Sequence, residues 1–202
     1  MKKCLLIFIL ITTYFHAFGE SNRSLRPIQF QGVISLLGTG VTGGYHMSDS
    51  IYGGIDVLNY SDSGSGSNIT NSYTYNINLS TYNFFGRYSH ENAFGFFAQG
   101  GMSVLNWSMY AQYTRNNGYK WGEINVSWPK SSFNYGVGWN GISSFGLSGT
   151  IMVFSLNTGD SFVEYKESGG YSFSESEKDK FNNVVYEASN TTGAYLSLGY
   201  NF

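Results

Sequence analysis

Thr192-Gly193-Ala194-Tyr195-Leu196-Ser197-Leu198-Gly199-Tyr200-Asn201-Phe202 is the stretch that decides the fold. Every second residue from Ala194 is apolar or aromatic: Ala194, Leu196, Leu198, Tyr200 and Phe202. The residues between are small or polar, Tyr195 excepted. A period of two places the first set on one face of a strand and the second on the other. The strand closes on Phe202. In a soluble sheet its carboxylate would sit beside an apolar ring. In a transmembrane barrel the ring lies in an aromatic girdle while the carboxylate stays in water.

The same rhythm runs back through the chain. Phe145, Leu147, Gly149, Ile151 and Val153 oppose Gly146, Ser148, Thr150, Met152 and Phe154. Phe133, Tyr135, Val137 and Trp139 oppose Asn134, Gly136, Gly138 and Asn140. Phe94, Phe96, Ala98, Gly100, Met102 and Val104 share a face. Tyr82, Phe84, Gly86 and Tyr88 alternate with Asn83, Phe85 and Arg87. Ile51, Gly53, Ile55 and Val57 oppose Tyr52, Gly54, Asp56 and Leu58. Leu37, Val41 and Tyr45 oppose Gly38, Gly40, Thr42 and Gly44. An even count needs an eighth strand, drawn from Pro27 to Ser35, with a tight connection near Leu36 to Gly38.

Three turn-rich clusters separate these segments on one side: His46 to Ser50, Ser89 to Asn92, and Asn140 to Ser144. Longer polar stretches separate them on the other: Ser61 to Asn76, Tyr110 to Asn125, and Asn157 to Asn190. Ser61 to Ser67 is low-complexity and reads as a mobile loop tip. Within the last stretch, Val163 to Ser168 and Tyr171 to Ser176 alternate, so a hairpin can extend past the membrane. The expected fold is all-β: a single antiparallel up-and-down transmembrane barrel of eight strands, with short periplasmic turns and long extracellular loops.

The other end of the chain agrees. Lys2 and Lys3 precede the apolar run Leu5 to Ile11, too short to span a bilayer as a helix. Ala17-Phe18-Gly19 offers small residues at a cleavage site. We expect residues 1–19 to be a signal peptide cleaved after Gly19, and 20–202 to be one barrel domain. Cys4 precedes the apolar run, against a lipid anchor, and leaves with the signal peptide. Charged residues are 12% of the chain, about half the usual share, and aromatics are 18%. That balance suits strands alternating between lipid and lumen, although an aromatic-rich secreted β-sandwich shares it. The net charge of −2 gives no reason to expect nucleic acid.

The strand carrying Leu196, Leu198, Tyr200 and Phe202 resembles the C-terminal assembly signal of bacterial outer-membrane proteins. In pattern the whole mature chain resembles the small outer-membrane barrels of the OmpA, OmpX and OmpW type. The resemblance implies a monomer among outer-membrane lipid, carried by periplasmic chaperones and inserted by the barrel assembly machinery. It implies no activity, because a fold does not specify one.

Two charges fall on lumen positions, Asp56 and Arg87, and charges in a confined lumen are expected to pair. Trp107 and Trp128 are expected at the outer interface and Trp139 at the periplasmic one. The stretch from Asn157 to Asn190 mixes acids with aromatics. Glu164, Tyr165, Glu175, Glu177 and Asp179 are its candidates for binding an extracellular ligand. No catalytic set emerges: Ser89, His90 and Glu91 are consecutive in a turn and cannot converge. No metal-ligand spacing appears, and no cofactor is expected. Two functions remain. One is an envelope scaffold displaying loops for adhesion or partner binding, and the other a narrow channel for small or apolar solutes. A filled lumen favours the first.

Overall fold

The computed structural model describes residues 23, 25–67, 71–90, 95–115, 121–159 and 161–202. The expected signal peptide, with its cleavage after Gly19, lies outside the described residues. So do Glu91 and Asn92 of the second turn.

The chain forms β1 (Ile28–Ser35), β2 (Gly38–His46), β3 (Ile51–Ser67), β4 (Asn71–Tyr88), β5 (Phe96–Arg115), β6 (Trp121–Ser127), β7 (Ser131–Ile142), β8 (Leu147–Asn157), β9 (Phe162–Ser168), α1 (Glu175–Ser189) and β10 (Asn190–Asn201). Eight strands close an antiparallel barrel in the order β1-β2-β3-β4-β5-β7-β8-β10. Closure is the pairing of β10 with β1, from Gln29 opposite Asn201 to Ser35 opposite Tyr195. The expected first strand is therefore present, joined to β2 across Leu36 and Leu37.

Alternation decides the two faces. Phe30, Ile34, Tyr45, Phe84, Phe96, Met102, Phe133, Tyr135, Val137, Val153, Leu196 and Leu198 point outward and are exposed. Among the described residues, none of the outward positions on these eight barrel strands carries a charge. Gln29, Gln31, Thr42, Asp56, Asn83, Ser103, Asn134, Ser148, Thr150, Ser197 and Asn201 point inward and are buried. The polar side is inside, the reverse of a soluble sandwich, as a barrel in lipid requires.

Small barrels need tight curvature, and inward glycines supply it. A Cβ on Gly101 would collide with the carbonyl of Phe84, and one on Gly199 with that of Phe30. Gly100, one residue away on the outer face, has open space around it.

The barrel is taller on one side. β3 and β4 stay paired out to Ser67 opposite Ser72, while β2 stops at Thr39 opposite Asn59. β5 pairs β7 along its lower half and β6 along its upper half, in one continuous register. The two are a single stave interrupted near Pro129, which has no N–H for the ladder. β9 adds to β6, and its register slips by one residue against that of β8 on β7, a bulge. Strands β3, β4, β5, β6 and β9 thus form a wall above the barrel.

This wall corrects the expected loops. Ser61 to Ser67 is not a loop tip but the upper part of β3. Most of Tyr110 to Asn125 is likewise strand. Serine and asparagine favour loops by composition, but here they occupy strand positions paired across the ladder. Tyr171 to Ser176 is a second correction. Gly169 and Gly170 turn the chain at positive φ, and Ser174 then caps α1.

We expect Gly101→Ala to lower barrel stability by about 1–3 kcal/mol, the range for overpacking, whereas Gly100→Ala stays within about 0.5 kcal/mol. Urea midpoints of the two refolded variants, side by side, measure the difference.

Candidate functional site

The lumen is the first candidate, and side chains fill it in two layers. The lower layer is polar. Asn83 Nδ2 donates to Asp56 Oδ2 at 3.3 Å, Ser103 Oγ to Asn83 Oδ1 at 2.6 Å, and Asn134 Nδ2 to Ser103 Oγ at 2.8 Å. From the far wall, the Tyr195 hydroxyl donates to Asp56 Oδ1 at 3.1 Å. Strands β10 and β3 are not neighbours, so this bond crosses the interior. A second network centres on Gln31. It donates to Ser148 Oγ at 3.0 Å and accepts from Ser197 at 2.6 Å and Thr150 at 3.2 Å. Buried polar groups of this kind rigidify a core only when they find partners.

Asp56 and Arg87 both point inward, but no ion pair joins them. Asp56 lies opposite Asn83, and Arg87 lies further along β4, opposite Tyr52. Arg87 instead donates from Nε to Gln99 Oε1 at 2.7 Å. Its guanidinium lies over the rings of Phe85, Phe97 and Tyr52, at 4.6, 4.7 and 5.3 Å from their centres. Desolvated contacts of this type contribute about 2 kcal/mol or more. The expected pairing therefore gives way to amide and aromatic partners, because stagger along the barrel separates the two charges.

The upper layer is apolar: Val33, Leu37, Leu58, Leu105, Trp107, Phe154 and Leu156 pack across the barrel. Trp107 is 6% exposed and donates from Nε1 to Thr81 Oγ1 at 2.8 Å. Trp128 stands on it edge-on, ring centres 5.8 Å apart, and donates to Ser189 Oγ at 2.9 Å. Both indoles were expected at the lipid interface, and both turn inward instead. Parity held the correction: Met102 and Val104 face out, so Trp107 faces in. Trp139 keeps the outward parity at the turn end, yet it is 8% exposed because it lies against Gly95 and Gly141.

Among the described residues, small internal voids of about 10 Å³ lie beside Asp56 and Asn134 and beside His46 and Arg87. Each has room for about one water.

The wall above is the second candidate. Ala111, Ile124, Val126, Phe173 and Val185 form a separate core that fixes α1 against the inward face of β5 and β6. Trp128 packs against this core and the lumen core alike. Helix α1 begins with a capping box: the Ser174 side chain accepts from the Glu177 N–H, and Glu177 Oε2 accepts from the Ser174 N–H at 2.8 Å. The Ser174 N–H and hydroxyl both donate to the ionised carboxylate of Glu177 and hold it below its ordinary pKa.

The five loop candidates do not converge. Glu164 carries Lys166 at 3.8 Å on β9. Tyr165 is packed against Phe173 and Phe181, its hydroxyl 2.9 Å from Asn182 Oδ1. Glu175 sits 3.4 Å from Lys178, and Glu177 is engaged in the cap. Asp179 is exposed on the helix. The terminal strand's Leu196, Leu198, Tyr200 and Phe202 all face outward, with the Tyr200 and Phe202 rings 5.1 Å apart.

A closed eight-stranded antiparallel barrel with an uncharged apolar belt and a filled lumen is the class that this geometry defines. The fold is shared with crystal structures of two Acinetobacter baumannii proteins. CarO2 aligns with a TM-score of 0.62 at 8% identity, covering 88% of this chain and 99% of that one. CarO aligns with a TM-score of 0.60 at 11% identity, with the same coverage. At such identities the likeness is one of fold. No family model matches the chain, and no curated protein sequence matches it.

Two outcomes follow. Trp107→Ala should cost about 3–5 kcal/mol, the range for deleting a buried Trp, read as a lower urea midpoint. The Glu177 carboxyl is depressed on folding, so its stabilisation of α1 is present above the ordinary carboxylate pKa. It is lost as pH falls through the folded value. Protection of the amides in the first turn of α1, taken relative to their intrinsic exchange at each pH, should therefore fall on acidification. Glu177→Ala should remove most of that pH response, and Ser174→Ala should cost about 0.5–2 kcal/mol as a lost cap.

Proposed function

We propose that this protein is an outer-membrane barrel of a bacterial envelope, a non-catalytic scaffold that displays its tall wall and α1 at the cell surface. The filled lumen is the observation that carries the reading. Trp107 and Trp128 lie across the upper interior, and the voids beneath hold about one water each. The uncharged outer belt supports a position in lipid, and so does the fold shared with the CarO structures. On this reading the short turns face the periplasm and the wall faces outward. The barrel acts as a monomer, brought by periplasmic chaperones to the assembly machinery, which reads the strand ending at Phe202.

Planar-bilayer recording tests this against the channel reading. The refolded chain, its insertion verified by heat-dependent gel migration, should give no reproducible conductance steps. Steps that change with Asp56→Asn or Arg87→Gln would overturn the scaffold in favour of a pore.

A further inference from the structure

We infer that the upper edge of β3, from Ser61 to Ser67, is a docking site for an extended peptide segment of a partner protein, which joins the wall as a further strand. This rests on the reading of the wall as the displayed surface and names the kind of partner it takes.

A difference in strand length makes the edge. β2 pairs β3 only as far as Thr39 opposite Asn59. β3 and β4 run on in unbroken register to Ser67 opposite Ser72. Above Asn59, β3 is therefore paired on one side only among the described residues. The ladder fixes which backbone groups are left over. Ser50 O accepts from Ser89 N on the β4 side, and Ile51 O accepts from Met47 N on the β2 side. Directions alternate along a strand, and neither register of β3 carries a bulge. The odd-numbered residues thus turn toward the β2 side. Above the end of β2, Ser61, Ser63, Ser65 and Ser67 point their N–H and C=O groups away from the sheet. Another extended backbone is the partner that matches this row of donors and acceptors.

The wall has a second free edge, and the two are built differently. β9 carries Glu164, Lys166 and Glu167 among its 7 residues. Its Tyr165 is packed under α1. Charged side chains are an ordinary guard on an exposed edge, as are proline and bulges. From Asn59 to Ser67 there is no proline and no lysine, and the one charge is Asp62. Ser61, Ser63, Ser65 and Ser67 are exposed and small, and Gly64 and Gly66 carry no side chain on the other face. A neighbouring backbone can therefore approach to the ladder spacing of about 4.8 Å along this whole stretch.

Asp62 sets the chemistry of the occupant. Its Oδ2 accepts from the Tyr75 hydroxyl at 3.1 Å on the concave face. An added strand places a side chain directly beside it, where an acid is repelled and a basic residue is favoured. Arg115, on the same face, stands on β5 with its guanidinium over the Tyr171 ring. A second copy in the same membrane does not fit the edge. Both β3 strands would run outward, and rotation about the membrane normal sets their tilts, about 35–45° each, against one another. The two edges would cross rather than pair.

The test pans a random dodecapeptide display library on the full barrel refolded in detergent. Enriched peptides are synthesised and titrated, and amide hydrogen exchange is read residue by residue with and without them. Peptides bearing a basic residue should be recovered. They should raise protection at Ser61, Ser63, Ser65 and Ser67 and leave β9 unchanged. Ser63→Pro removes one outward N–H and spares the ladder to β4, with folding checked by heat-dependent gel migration. It should weaken binding about tenfold or more, whereas Ser63→Ala stays within about threefold of the wild type. A library yielding no peptide above the level retained by the Ser63→Pro barrel would overturn the proposal. So would protection that appears elsewhere and not at the four serines, a readout that needs no variant. A dimer of the barrel that Ser63→Pro dissociates would assign the edge to an inverted second copy and overturn it too. Because the panning is done in detergent, its failure beside a non-conducting bilayer record would remove the partner and leave the scaffold.

Discussion

The pairing of β10 with β1 is the constraint from which the rest follows. A sheet left open would present a row of unpaired N–H and C=O groups, and hydrocarbon offers them no partner. Seven residue pairs close that edge. Once eight strands are closed, the circumference is set, and so is the volume inside. Every inward side chain must then fit that volume and find a partner within it. The inward glycines, the crossing bond from Tyr195 to Asp56 and the stacked tryptophans are consequences of this one closure.

The interior resolves into layers because its two ends face different demands. Low in the barrel, amides and hydroxyls bond across the staves, so Asp56 is held by neutral donors. Arg87 is accommodated by ring faces and one amide oxygen. Above them the apolar layer removes the remaining space. Trp128 is common to both parts of the molecule: its ring packs on Trp107 and its N–H on the end of α1. Trp128 therefore joins the lumen core to the core beneath the helix.

The wall exists because the strands differ in length rather than because loops are long. β3, β4 and β5 carry their ladders well past the point where β2 ends, and β6 and β9 extend the same sheet. The hydrogen-bonded surface so built is rigid, and it is lined with rings on one side.

Period-two alternation determined, from sequence alone, the barrel, its eight strands and the face of most strand residues, because lipid and lumen impose opposite polarities at every step; Leu37, expected on the face of Val41 and Tyr45, lies in the turn before β2 and packs into the lumen instead. Alternation placed Asp56 and Arg87 inward and Leu196, Leu198, Tyr200 and Phe202 outward. The inward turn of Trp107 was also legible in that parity, although the general preference of tryptophan for interfaces obscured it. Only the tertiary structure decided the rest. Whether Asp56 meets Arg87 depends on distance along neighbouring staves, and stagger is a property of the closed sheet. Whether Ser61 to Ser67 is loop or strand depends on partners in β4, not on its own composition. Helix α1 had a local signal in Ser174 and Glu177, but its position over β5 and β6 rests on Phe173 and Val185 meeting Ala111 and Ile124. Contacts between residues so far apart in the chain are made by folding, and no local pattern encodes them.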